Sequence, residues 1–107
     1  MPMHFPRDVY ELMRERDRAF EQDDYNWVWE FMTRKGMKIK DANQFLMAFH
    51  KARYELFTIS SKKRYESQRW LVEHGVKRMN GEYAKLGDPL PSAEEYKRLR
   101  LKNEKRP

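Results

Sequence analysis

Residues 41–57 read D-A-N-Q-F-L-M-A-F-H-K-A-R-Y-E-L-F, uninterrupted by Gly or Pro. Ala42, Phe45, Leu46, Phe49, Ala52 and Leu56 recur at steps of three and four, the period of one helix face. Asp41 stands where an N-cap acid meets the first unpaired N–H groups of a helix. So broad an apolar stripe must be covered by other elements. The rest of the chain is therefore expected to pack around this helix.

The other long segments also have helical period. Pro6, Asp8 and Glu11 suit a first turn, and Val9, Leu12, Met13, Arg16 and Phe20 follow, predicting a helix over about 6–22. Asp23 or Asp24 can cap the next helix, in which Trp27, Val28, Phe31 and Met32 make one stripe and Trp29 lies off it. Gly36 is placed to close that helix as its C′ residue. Thr58 to Ser61 mark a boundary, with Ser60 or Ser61 as a cap.

From there Tyr65, Val72, Met79 and Leu86 fall seven apart, with Val76 and Tyr83 between them. The stripe stays in phase across Gly75 and Gly81, which predicts one long helix over about 61–86. A break at either glycine is the alternative. Gly87 would close the long helix. Asp88-Pro89-Leu90-Pro91 reads as an extended linker, and Ser92 with Glu95 as a capping box for a last helix, 92–103. Its stripe, Tyr96, Leu99 and Leu101, is thin, so this helix is expected to be loosely attached. The expected fold is thus an all-α compact bundle of four or five helices. A helical core domain over 1–90 is expected to precede a basic C-terminal helix and tail over 91–107.

Charged residues are 37% of the chain and aromatics 14%, a combination that implies a folded core under a charged surface. There is no cysteine, so neither disulfides nor thiolate metal sites can form. No apolar run approaches the roughly 18 residues of a membrane span, and the N-terminus has no apolar signal core. A cytoplasmic location is the expectation. In being short, cysteine-free, charge-dense and aromatic-rich, the chain resembles small accessory proteins of bacteriophages. The likeness covers no motif and assigns no residue.

Chemistry is hard to place. His4, His50 and His74 form no i, i+4 pair and no H-E-x-x-H motif, and no Gly-rich phosphate loop or nucleophile elbow occurs. No catalytic residue, cofactor or metal is expected, and the protein reads as a non-enzyme.

Charge points toward binding. Residues 1–30 carry a net charge of −4, residues 31–60 of +4 and residues 61–107 of +6. Two functions compete. The first is a protein-interaction module, an adaptor, subunit or inhibitor docking on a larger protein or nucleoprotein complex, with Trp29, Trp70, Tyr83 and Tyr96 as anchors. The second is nucleic-acid binding through Lys62, Lys63, Arg64, Arg69, Lys97, Arg98 and Arg100, with aromatic rings interleaved. A helix-turn-helix would present Asn43, Gln44, His50, Lys51 and Tyr54. Because acids are mixed among the bases, the protein partner ranks first. Self-association through the 65–86 stripe is a further expectation, and a membrane partner is not expected.

Overall fold

A computed structural model describes the backbone of residues 7–104 and the side chains of residues 8–101. The described residues are all-α and form five helices: α1 (Arg7–Glu21), α2 (Tyr25–Arg34), α3 (Ala42–Glu55), α4 (Ser61–Glu73) and α5 (Ala93–Glu104). Among the described residues there is no strand, only an isolated antiparallel bridge between Lys77 and Tyr83. No helix among them is long and apolar enough to cross a membrane. Contacts divide the chain after Lys38, inside the segment the sequence reads as one core domain, and group α5 with α3 and α4.

Capping side chains start the helices where the sequence predicts. Asp24 accepts from the backbone N–H of Trp27, Asp41 from that of Gln44, and Ser60 from that of Lys63. The stops are equally local. After α2, Gly36 N–H bonds to Thr33 O and Met37 N–H to Met32 O, with Gly36 at φ +88°. This is a Schellman motif with glycine at C′.

The same motif corrects the long helix expected over 61–86. Gly75, at φ +61°, donates to Val72 O, and Val76 donates to Leu71 O, so α4 ends at Glu73. The sevenfold spacing of Val72, Met79 and Leu86 spans a helix and a loop, and forms no helical seam. Gly87 closes no helix either.

The first unit contains α1 and α2. Ala19, Phe20, Val28 and Met32 are buried, while Leu12 and Met13, expected on the inner stripe of α1, are exposed. Trp27 and Phe31 are half-buried and stack at 5.1 Å.

In the second unit α3 packs on α4. Phe45, Phe49 and Leu56 are buried as expected, and Leu46 is half-buried. Tyr54, Leu71 and Ala84 form a core cluster with Val72, Val76 and Leu90 packed against it. The D-P-L-P segment is therefore tied down. Gln68 donates to Asp88 O, and the Arg64 guanidinium donates to Pro91 O. α5 is held by the buried Leu99, by Tyr96 against Phe57 at 6.0 Å, and by Glu95, which accepts from Arg78.

Candidate partner-binding surfaces

The α3–α4 contact is unusually polar. His50, Arg53, Glu55, Arg64, Ser67 and Gln68 are all buried, and each has a partner. Arg53 donates to Ser67 Oγ at 2.7 Å, and His50 Nδ1 lies 2.9 Å from the same oxygen. The Arg78 guanidinium bridges Glu55 and Glu95 and lies over the Tyr54 ring at 5.3 Å. Burial pulls that guanidinium down, but the two carboxylates more than offset it, so Arg78 stays charged. These groups join elements of the second unit to one another. No group of three or more His, Asp or Glu side chains among the described residues could hold a metal ion.

Of the anchors predicted from sequence, Trp29 belongs to the first unit and Trp70, Tyr83 and Tyr96 to the second. Trp29 is 36% exposed on α2, and Tyr83 is 59% exposed on the loop after α4, with the Lys77 ammonium 5.5 Å above its ring. Tyr96 is half-buried against Phe57. Trp70 stacks with two imidazoles, His50 at 4.6 Å and His74 at 3.8 Å, both nearly parallel to the indole. Its ring is thus already engaged within the second unit.

The basic set also divides. Arg64 requires a correction: it is buried, donating to Tyr54 O and Pro91 O, so its guanidinium holds the fold and is withdrawn from the surface. Lys63 pairs with Glu66 at 3.4 Å. Lys97, Arg98 and Arg100 are exposed on α5, where Arg98 shares a depression of about 370 Å³ with Glu82 and Glu95. Two acids there dilute the basic face. The face offered by a helix-turn-helix is likewise occupied: His50 and Tyr54 are buried, and Gln44 Oε1 accepts from Lys40 N–H. His4 lies outside the described residues.

What remains is a groove of about 460 Å³ between α4 and the turn at 85–88. Lys62, Tyr65 and Arg69 follow the i, i+3, i+7 rows of one α4 face, and Leu86 stands opposite from the turn. Tyr65 is 46% exposed and Leu86 62%. In the sequence both fall on the sevenfold stripe that predicts a long helix. The signal that could have found the turn is K-L-G-D, in which glycine supplies the positive φ a turn needs.

No protein-family model, curated protein or solved structure matches the chain.

Proposed function

We propose that the protein is a non-enzymatic protein-interaction module, an adaptor, subunit or inhibitor that docks on a larger protein or nucleoprotein complex. The observation that carries this reading is the exposure of large apolar side chains in the first unit. Leu12 and Met13 on α1, and Tyr25 and Trp29 four residues apart on α2, all stand on the surface. Since Val28 and Met32 of α2 are buried as well, that helix is apolar on more than one side, as a helix with a partner is. Rigid aromatic rings bring large contact area at low entropic cost, which suits anchors.

A second reading, nucleic-acid binding, draws on the charge of the second unit. Residues 39–107 hold sixteen basic and nine acidic residues, a net of +7. Capture from cell lysate, before and after nuclease treatment, separates the two. A module of the first kind retrieves a discrete protein that survives nuclease and is lost with Trp29→Ala. A nucleic-acid binder loses its catch to nuclease, and its affinity for nucleic acid falls steeply with salt.

A further inference from the structure

We infer that the groove between α4 and the 85–88 turn takes an extended acidic segment of the partner protein, with one apolar side chain seated between two carboxylates. This inference rests on the interaction-module reading and adds the chemistry of a second contact.

The floor is preorganised. Asp88 N–H bonds to Lys85 O at 3.2 Å, Lys85 N–H bonds back to Asp88 Oδ2 at 3.1 Å, and Gly87 sits at φ +86°. The closing hydrogen bond and the positive φ at the third position match a type II turn. A side chain at Gly87 would meet nothing within 4 Å, so glycine serves the backbone angle here and not close packing. On the inner side Gln68 donates to Asp88 O, anchoring the turn to α4. Leu86 is thus held outward beside Tyr65, and the two offer an apolar seat with no rearrangement to offset.

Among the residues that line the groove, the unpaired charge is of one sign. Glu66, the acid in the groove, is neutralised by Lys63 at 3.4 Å and by the buried Arg53 at 3.8 Å. Lys62 and Arg69 have no acidic partner among the described residues. Lys62 and Arg69 are seven steps apart on the helix, a rise of about 10 Å. An extended chain puts residues i, i+2 and i+4 on one face, with i and i+4 about 13 Å apart, a span the long Lys and Arg side chains can meet. The occupant these cations complement therefore carries two acids four positions apart with an apolar residue midway, all on one face. A phosphate backbone would also meet the cations, but the seat between them is the apolar pair Tyr65 and Leu86, which favours a peptide side chain.

Selection of a displayed random-peptide library on the intact chain tests this. The expected result is enrichment of peptides with two acids four apart and an apolar residue midway between them. One synthetic peptide of that kind should bind about tenfold more weakly to Lys62→Glu or Arg69→Glu, and likewise to Leu86→Ser. Unchanged melting temperatures would show that these exposed substitutions leave the fold intact. No enrichment, enrichment of peptides lacking acids, or binding indifferent to the charge reversals would overturn the proposal. So would tighter binding of a single-stranded oligothymidylate through the same residues, or self-association lost with Leu86→Ser, which would put a second copy in the groove. Lysate capture that survives nuclease and depends on Trp29 but not on the groove variants would sink this inference alone. Absence of any nuclease-resistant capture would sink the module reading, whatever the library selects.

Discussion

Arg78 Nε donates to Oε1 of Glu55 at 3.1 Å, while Oε2 of the same buried carboxylate receives no hydrogen bond. Burial pushes the Glu55 carboxyl above its ordinary value of 4.5, and the Arg78 guanidinium offsets this only in part. The folded state therefore holds the Glu55 proton more tightly than the unfolded chain does. Stability from this group is present in full below pH 4.5 and is lost as pH rises through the folded value. Glu55→Gln keeps the shape and removes the titration. Thermal melts at matched pH should show the parent losing stability relative to Glu55→Gln as pH rises from 4.5 toward neutrality. A constant difference across that range would contradict the sign.

Gly75 gives a test of helix termination. In its left-handed conformation, φ +61°, a β-carbon meets no neighbour, so Gly75→Ala is opposed by backbone strain alone. The expected cost is about 1–2 kcal/mol. Were the residue inside a continuous helix, the same change would stabilise by about 1 kcal/mol. Denaturant unfolding reads the sign directly.

Phe49 is fully buried on α3, with the Phe45 ring centre 6.0 Å away and the nearly perpendicular His50 ring centred at 5.1 Å. Phe49→Ala should cost about 3–5 kcal/mol, a large share of the total stability of a chain this short. An unchanged melting temperature would displace Phe49 from the core.

Arg64 and Arg69 lie five residues apart on α4 and should behave as opposites. Arg64→Ala leaves the carbonyls of Tyr54 and Pro91 without their donor. It should destabilise by about 2–3 kcal/mol. Arg69→Ala, at an exposed position, should leave stability within about 0.5 kcal/mol and alter only binding. Equal effects of the two on stability would count against the assignment.

Local signals in the sequence carried the helix starts and one stop. Asp24, Asp41 and Ser60 cap as their residue types require, and Gly36 ends α2. Gly75 was as legible as Gly36, but an apolar spacing in phase across it outweighed the stop signal. Val76 and Leu90 bury against Tyr54 and Leu71 from a loop, a reason for apolar spacing that has nothing to do with heptads. The buried polar groups were beyond local reading. His50, Arg53 and Ser67 pair across 14 to 17 residues, and Arg78 reaches Glu55 across 23. Such partners are named by the fold and not by their neighbours in sequence. For the surface, residue type was informative and orientation was not: Lys62 and Arg69 are exposed beside Tyr65, while Arg64, in the same basic run, turns inward.

The ties of the 76–91 segment have a kinetic consequence. Ser67 meets Arg53 across 14 residues, whereas Arg64 reaches Pro91 across 27. Closing the longer loop costs more chain entropy before any contact repays it. The α3–α4 hairpin should therefore form in the folding transition state, and the Pro-rich segment should dock after it. Interactions made after the barrier govern how fast the native state opens. Arg78 would then act as a latch on the unfolding rate, and its loss would shorten the lifetime of the folded second unit while hardly slowing its formation.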